Sequence, residues 1–180
     1  MDLFKAIEKR RSIRKFKPCT IANSELKMIL EAGRLAPSGG NRQPWYFIVV
    51  REAKIKEALA NASNKQKFIA EASAVIVALG DPKASTKLTY SLSDTRIPHK
   101  QDPMIAIEHM VLAATALGYG TCWIGAFNEA EVKKILKIPE DLAVIALLPV
   151  GVPDEDPPAR PRKAFSEIFF KDSYGVPLEL

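Results

Sequence analysis

Residues 74–79 read Ala-Val-Ile-Val-Ala-Leu, an uninterrupted apolar run that Gly80-Asp81-Pro82 brings to an end. A short apolar run bounded by turn-forming residues predicts a buried strand. Similar runs predict three more strands, over residues 45–50, 121–124 and 142–150. Pro149, near the end of the last run, cannot donate a backbone hydrogen bond, so we expect that strand at an edge of the sheet.

The segments between these strands carry helix signals. Asn23 and Asp102 are N-cap residues by type, and Pro103 fits the first position of a helix that ends near Gly118. Asn128 and Glu131 have the spacing of a capping box. The predicted helices cover about residues 2–10, 23–33, 52–61, 65–72, 102–118 and 129–137. Strands separated by helices predict an α/β or α+β sandwich, and the helix after Pro103, apolar on nearly every face, has to be buried in a core or an interface.

The composition excludes several classes of protein. The chain has 180 residues, of which 47% are hydrophobic and 26% charged, and this favours one packed domain over a disordered chain. No apolar run approaches the roughly 18–20 residues that span a bilayer. The first residues carry scattered charges instead of the apolar core of a secretory signal. We therefore expect a cytoplasmic protein that does not bind a membrane.

The net charge of +5 is concentrated in one segment. Residues 1–20 carry seven Lys or Arg and two acidic residues, whereas residues 21–180 are neutral overall. Nucleic-acid-binding proteins more often spread basic residues along a face, so we expect no nucleic-acid partner, and a single patch favours one small anion or no ligand. Cys19 and Cys122, and the two histidines, lack the spacing of metal ligands, so we expect no metal.

Signatures of nucleophilic catalysis, of a P-loop, of a zinc protease and of an ordinary dinucleotide-binding fold are all missing from the sequence. An enzyme with so few acid–base groups would obtain its chemistry from a cofactor. Four segments carry candidate binding groups: Arg10-Arg11-Ser12-Ile13-Arg14, residues 37–45, residues 120–125 and Arg160-Pro161-Arg162-Lys163.

Each of these segments has a binding interpretation and a structural one. Guanidinium groups suit a phosphate, but cations near residue 10 also stabilise the end of the first helix. Small residues and amides in 37–45 can approach a planar heterocycle, or they form a polar loop before a strand. Residues 120–125 can offer backbone N–H groups, or they form only a strand and a turn. Residues 160–163 form a second anion site or a solvated charge run.

The four segments together, in this order, resemble the nitroreductase family of flavoproteins. The patterns are RRSIRxF from Arg10, APSxxNxQPW from Ala36, GxGTCWIG from Gly118 and the basic segment RPRK from Arg160, and the resemblance spans almost the whole chain from residue 7 to about residue 169. The resemblance implies an α+β sandwich with a central, mostly antiparallel sheet flanked by helices. It also implies a homodimer that binds FMN at the subunit interface, is reduced by NADH or NADPH and reduces nitroaromatic compounds, quinones or related acceptors by a ping-pong mechanism.

The resemblance also implies roles for particular residues. Arg10 would face the FMN phosphate and Arg14 the pyrimidine edge of the ring, and the backbone at Ile124 and Gly125 would face the reactive flavin nitrogen. Some family members have an acidic residue where this chain has Ile124, so a side-chain role at that position is lost here. No side chain is expected to act as an acid or base. The expected FMN-binding residues are Arg10, Arg11, Ser12 and Arg14, then Pro37, Ser38, Gly39, Asn41 and Gln43 from the other subunit, and Ile124, Gly125, Arg160 and Arg162.

The C-terminal segment, residues 152–180, is here called the arm. Its four early prolines predict an extended chain that cannot pack on its own, yet it carries Phe165, Ile168, Phe169 and Phe170. Exposing them to water would cost about 1.5–3 kcal/mol each, so the arm either folds back on its own domain or wraps a second subunit. The resemblance favours exchange between subunits, with residues 1–151 as the FMN-binding core and residues 152–180 as an arm of the same domain.

Two other functions are compatible with parts of this pattern. A non-catalytic flavin binder or a flavin-processing protein on the same scaffold would bind FMN that NAD(P)H does not reduce. A nucleic-acid-binding module would use the basic N-terminus and bind in a salt-sensitive manner, but the neutral remainder of the chain argues against it. Residues 81–101 match no pattern of the family, and a polar stretch of this length predicts a lid or a binding loop.

Overall fold

The computed structural model describes residues 1–85 and 98–180. The strands in this part of the chain are β1 (Trp45–Val50), β2 (Ala74–Gly80), β3 (Gly120–Thr121) and β4 (Ala143–Gly151). The helices are α1 (Leu3–Lys9), α2 (Asn23–Arg34), α3 (Ala53–Ala62), α4 (Phe68–Glu71), α5 (Pro82–Ser85), α6 (Pro98–Ala116) and α7 (Glu129–Leu136). Within these ranges, none of the helices combines the length and the apolar character that a membrane span requires. The lid or binding loop predicted over residues 81–101 falls mostly on residues 86–97, outside the described residues.

The four strands form one antiparallel sheet in the order β1-β2-β4-β3. Every residue of β2 is buried, as the apolar run at residues 74–79 predicts. Val75 and Val77 pack on one face of the sheet in a core with α3, α4 and α7. Ile76 and Ala78 pack on the other face with α2 and α6. Burial of each large aliphatic side chain contributes about 1.5–3 kcal/mol, so β2 stabilises both layers. The predicted α+β sandwich with a central antiparallel sheet is confirmed.

The prediction that β4 is an edge strand is wrong. β4 lies between β2 and β3, and Pro149 is paired with Val75 in the register of β2. The carbonyl of Pro149 accepts a hydrogen bond from the amide of Cys122 at 3.4 Å, so its nitrogen also faces the β3 side. β3 contains only two residues and stops before this point. The missing N–H of Pro149 therefore faces a position where the regular pairing of β3 with β4 has already ended.

The predicted start of a helix at Asp102-Pro103 is also wrong, because α6 begins at Pro98 and contains Pro103. A proline inside a helix removes the hydrogen bond to the carbonyl four residues earlier, here that of His99. This carbonyl lies close to Gly80: a Cβ atom on residue 80 would be 1.9 Å from the His99 oxygen. The glycine at the end of β2 thus leaves room for the His99 carbonyl, which receives no hydrogen bond from Pro103.

Three further expectations are partly correct. Asn128 is the N-cap of α7, and its side chain accepts a hydrogen bond from the Glu131 amide at 3.2 Å. Asn23 is not a cap, because α2 begins at that residue and its side chain accepts a hydrogen bond from Arg51 at 2.6 Å. The strand predicted over residues 121–124 is shorter in the structure, where β3 covers only Gly120–Thr121. After β3 the regular pairing with β4 stops, and Ile124 forms an isolated bridge with Leu147.

The arm begins as an extended chain, forms a short 3-10 helix at Phe165–Glu167 and leaves its apolar side chains about half exposed in the single chain. Phe165 is 51% exposed, Ile168 49% and Phe169 45%. The rings of Phe165 and Phe169 stack with centroids 4.2 Å apart, and this contact shields them only in part. The arm therefore does not bury these side chains against its own domain.

Candidate functional site

Residues 10–14 leave the end of α1 and lie beside β3. The amide of Ile13 donates to the Thr121 carbonyl at 2.8 Å, and Ser12 forms a parallel bridge with Thr121. Ile13 is 6% exposed and packs on Gly120, where an added Cβ would lie 2.7 Å from its Cγ1. Because side chains alternate along an extended segment, the burial of Ile13 leaves its neighbours Ser12 and Arg14 on the opposite side.

The start of the arm runs antiparallel to the next residues of the same segment. The amide of Lys17 donates to the Val152 carbonyl and the amide of Asp154 donates to the Lys15 carbonyl, both at 2.9 Å. The amide of Arg14 donates to the carboxylate of Glu155. These bonds hold the beginning of the arm beside residues 14–17, although about 140 residues of sequence separate them.

This pairing brings the first and the last basic segments around one cavity of about 210 Å³, here called the arginine cavity. Five arginines and one serine contribute to its lining, and two prolines of the arm complete it. The lining residues are Arg10, Arg11, Ser12, Arg14, Pro157, Pro158, Arg160 and Arg162. Always-charged, planar donors that converge on one small cavity suit an anion such as a phosphate monoester.

The arginines differ in what they already bind. One guanidinium nitrogen of Arg11 donates to the carbonyls of Glu8 at 2.6 Å and Arg10 at 2.8 Å, so Arg11 closes the end of α1. Arg162 donates to the Arg160 carbonyl at 3.2 Å. Within residues 1–85 and 98–180, the guanidinium groups of Arg10, Arg14 and Arg160 make no hydrogen bond. They are the donors that an anion would meet.

The carboxylate of Glu108, on α6, interacts electrostatically with Arg10 of the arginine cavity. Loss of water around Glu108 raises its pKa above the usual value, and its electrostatic interactions with Arg10 and His109 act in the opposite direction. His109 lies against α2, with its Nδ1 atom 3.2 Å from the Ala32 carbonyl.

The second predicted segment, residues 37–43, forms a tight loop before β1. Gly40, Asn41 and Gln43 all have left-handed backbone angles, with φ of 58°, 55° and 51°. The Ser38 hydroxyl accepts from the Gln43 amide at 2.9 Å, and the Gln43 side chain donates to the Asn41 carbonyl at 3.2 Å. The loop is also fixed from outside, because the amide of Gly39 donates to Asp102 at 3.1 Å. The predicted residues Pro37, Ser38, Gly39, Asn41 and Gln43 do not line the arginine cavity of their own chain.

The third segment places two backbone groups differently. The amide of Ile124 donates to the Leu147 carbonyl at 2.9 Å and is therefore unavailable to a ligand. The amide of Gly125 has no hydrogen-bond partner in the part of the chain that the structure describes, and Gly125 is exposed. Of the two predicted contacts, only that of Gly125 keeps a donor for a ligand.

Cys122 is 2% exposed and interacts with Ser12 and Arg14, two residues that line the arginine cavity. Burial raises the pKa of its thiol, while Arg14 and a hydrogen bond with Ser12 lower it. The thiol is therefore a neighbour of the cavity wall, held in its uncharged form at neutral pH.

Sequence reasoning missed how two acidic residues fix these segments: it does not single out Glu155, and it predicts only a helix cap at Asp102. Glu155 and Asp102 act through backbone amides of Arg14 and Gly39, which lie 141 and 63 positions away in the sequence. No short motif contains both partners of either bond. Only the three-dimensional pairing of the segments reveals them.

Comparison with known proteins defines the class of this fold and site. The sequence profile of the Nitroreductase family matches residues 7–152. A protein of Archaeoglobus fulgidus named for NADH dehydrogenase or NAD(P)H nitroreductase activity is 36% identical over 159 residues, which cover 86% of this chain and 87% of the relative. The chain belongs to the nitroreductase family.

Solved structures agree with this assignment. A crystal structure of a nitroreductase family protein from Clostridium novyi NT is 38% identical, with a TM-score of 0.79, and the match covers 98% of this chain and 97% of that one. The NADPH:FMN oxidoreductase from Vibrio harveyi, solved in complex with NAD+, is 26% identical with a TM-score of 0.86, and the match covers 99% of this chain and 79% of that one.

Proposed function

We propose that this chain, an enzyme of the NAD(P)H-dependent flavin oxidoreductase class, binds FMN non-covalently and takes its electrons from NADH or NADPH. The acceptors are small oxidants such as nitroaromatic compounds or quinones. FMN, when bound, supplies the capacity to accept and return a hydride. Donor and acceptor would use the same place in turn, which gives a ping-pong reaction.

The arginine cavity is the observation that carries this proposal. Arg10, Arg160 and Ser12 would bind the FMN phosphate, and Arg162 would add charge from the same side. Charge-assisted hydrogen bonds contribute about 1.5–3 kcal/mol each, so two or three would hold a phosphate monoester well. Arg11 supports the site indirectly, since its guanidinium already binds the end of α1.

The remaining predicted contacts would orient the ring. Arg14, whose guanidinium makes no hydrogen bond within the described ranges, would face the pyrimidine edge. The free amide of Gly125 would donate to the part of the ring where charge develops on reduction. The protein's own residues thus bind and orient the cofactor, and no side chain has to move a proton.

The residues of the 37–43 loop would reach the cofactor from the other subunit. They lie outside the arginine cavity of their own chain, while their left-handed backbone and small side chains permit close approach to a planar ring. A site completed by two chains explains how both predicted segments can serve one flavin.

The surface of the single chain supports a homodimer. Leu3 and Phe4 of α1 are 59% and 81% exposed, and Leu35 is 64% exposed. A largely apolar groove of about 650 Å³ lies between α1, α6 and the end of α2. Exposed apolar surface on this scale marks an interaction site, and we assign it to a second copy of the chain.

The arm supports the same assignment. Its half-exposed Phe165, Ile168 and Phe169 need an apolar surface, and β1 is an edge strand beside a second groove of about 390 Å³ lined by Trp45, Phe47 and the α2 side chains. We propose that the arm of one subunit covers its partner. Residues 1–151 would then be the FMN-binding core, with residues 152–180 as an arm of the same domain.

The relatives favour a reduced nicotinamide as the donor. The structural neighbour from Vibrio harveyi is named an NADPH:FMN oxidoreductase, and a Staphylococcus aureus relative that is 27% identical is named an NADPH-dependent oxidoreductase. By this comparison we expect NADPH or NADH to reduce the flavin of this chain.

An anaerobic absorption spectrum tests the proposal. The purified protein, loaded with FMN, is recorded before and after addition of NADH and then of NADPH. We expect flavin bands that bleach with at least one donor and return when a quinone or a nitroaromatic compound is added. Bands that persist would indicate a flavin binder that does not catalyse, and failure to bind FMN would refute the cofactor assignment.

A further inference from the structure

Glu155 occupies a particular place between the core and the arginines of the arm. The arm makes three backbone contacts with residues 14–17, through Val152, Asp154 and Glu155 in that order. The first two are ordinary amide-to-carbonyl bonds. The third uses the Glu155 side chain, whose carboxylate accepts from the Arg14 amide.

Beyond Glu155 the arm has little with which to attach itself. Pro157, Pro158 and Pro161 have no backbone N–H to donate. Among the described residues, no hydrogen bond joins residues 156–163 to residues 1–151. The Glu155 carboxylate is therefore the final polar tether before the arm places Arg160 and Arg162 at the cavity.

The arm arginines also face a repulsive arrangement. The N-terminal segment contributes Arg10, Arg11 and Arg14 to the lining and the arm contributes Arg160 and Arg162, so five positive charges gather around one cavity. Without a tether, this repulsion would favour an arm that moves away. Glu155 does not line the cavity itself, but its carboxylate, bonded to the backbone of Arg14, holds the arm beside the N-terminal segment next to the cavity.

We propose that Glu155 is a positioning residue that keeps the two halves of the arginine cavity in register and so sets the affinity for the phosphate of FMN. This inference rests on the proposed function, because it assumes that the anion in the cavity is the FMN phosphate. A carboxylate near a phosphate site would by its charge alone weaken anion binding. The proposal therefore predicts that Glu155→Ala weakens FMN binding, whereas removal of a negative charge would by electrostatics alone strengthen it.

The test uses the full-length protein stripped of flavin and titrated with FMN and with riboflavin, which lacks the phosphate. The variants are Glu155→Ala, Glu155→Gln and Glu155→Asp, with Asp156→Ala as the matched control. Asp156 is the adjacent acidic residue, and its side chain makes no hydrogen bond in the described part of the chain. Binding is followed by flavin fluorescence, and folding by circular dichroism.

We expect Glu155→Ala to weaken FMN binding about tenfold or more, since it removes a charged hydrogen bond, and to leave riboflavin binding unchanged. Glu155→Gln keeps an acceptor oxygen and should bind FMN like the wild type or more tightly. Asp156→Ala removes one negative charge and should not weaken FMN binding. Should Glu155→Ala fail to fold, Glu155→Asp decides, because it keeps the charge but is too short for the bond and should also weaken FMN binding.

Several results would overturn the inference. FMN affinity that is unchanged or raised in both Glu155→Ala and Asp156→Ala would show that only charge matters. Equal losses for FMN and riboflavin would show a general structural defect, and wild-type FMN affinity in Glu155→Asp would rule out the tether. A wild-type protein that binds no FMN would refute the proposed function itself. A wild-type protein that binds FMN, with Glu155 variants that bind it equally well, would refute only the role assigned to Glu155.

Discussion

The amide of Gly39 donates a hydrogen bond at 3.1 Å to the carboxylate of Asp102, which is only 8% exposed. This bond joins the loop before β1 to the first turns of α6, where the sequence would place a helix cap. The Asp102 carboxylate thus fixes the 37–43 loop, which we propose contacts the flavin bound by the partner subunit.

Asp102→Ala should lower the free energy of unfolding by about 1–3 kcal/mol, because it leaves the Gly39 amide without its charged partner. Asp102→Asn keeps an acceptor oxygen and should lose less. Urea unfolding at one fixed protein concentration measures both. If Asp102→Ala unfolds at the same urea concentration as the wild type, the bond does not stabilise the loop.

Arg10→Ala should weaken FMN binding far more than it weakens folding. Its guanidinium lines the arginine cavity and has no hydrogen-bond partner among the described residues, so its loss removes a phosphate donor and leaves the packing of α1 intact. A decrease in FMN affinity of about tenfold to hundredfold is expected for one charged hydrogen bond. Lys54→Ala, which removes a positive charge from the exposed face of α3, is the control. Equal FMN affinity in Arg10→Ala and Lys54→Ala would show that the phosphate lies elsewhere.

Truncation after Lys163 tests the exchanged arm without removing the cavity arginines. The shortened chain lacks Phe165, Ile168 and Phe169, which are half-exposed in the single chain. We expect analytical ultracentrifugation to show a shift from dimer towards monomer, or an aggregating protein. A shortened chain that remains a dimer with a full complement of flavin would reject the wrapping arm.

The pair of Tyr119 and Glu25 gives a pH-dependent contribution to stability. The Tyr119 hydroxyl donates to the Glu25 carboxylate, and this bond, with some help from burial and charge, raises the pKa of Tyr119 from 10.0 to about 12. A raised folded pKa means that the phenol contributes its full stabilisation below about pH 10. The contribution is lost as the pH rises towards 12.

The free energy of unfolding of Tyr119→Phe should therefore lie below that of the wild type by about 1 kcal/mol at pH 8, as a partly exposed bond allows. The difference should shrink above pH 10. Urea unfolding between pH 8 and pH 11 measures it, with Tyr174→Phe as a control at a 93% exposed position. A constant difference across this range would contradict the assigned bond.

The layered fold was predictable because its strands are continuous apolar runs. Residues 74–79 and 45–50 match β2 and β1 to within one residue, since a strand buried on one or both faces leaves a clear pattern. The two errors both concern proline. Neither Pro149 nor Pro103 can donate a backbone hydrogen bond. The regular pairing of β3 ends before it reaches Pro149, and Gly80 leaves space for the His99 carbonyl that Pro103 cannot bond. Such compensation by a distant element cannot be deduced from local sequence.

The site was predictable to the extent that its residues occur in motifs. The two basic segments could be identified from their side chains, and the structure brings them together at one cavity. Glu155, which joins the arm to the first basic segment, and Asp102, which fixes the separate 37–43 loop, could not be identified, because each binds a backbone amide rather than a recognisable side chain. The sequence also offers no signal that Arg11 binds its own helix end or that the Ile124 amide is already paired.

The arginine cavity has a consequence for the stability of the folded chain. A phosphate bound there would connect residues 10–14 to residues 160–162 and act as a non-covalent cross-link that closes most of the polypeptide into a ring. A ligand that binds only the folded state stabilises it in proportion to the logarithm of its concentration over its dissociation constant. The supply of flavin in the cell would then govern the lifetime of the protein as well as its activity, with flavin-free chains the first to be degraded.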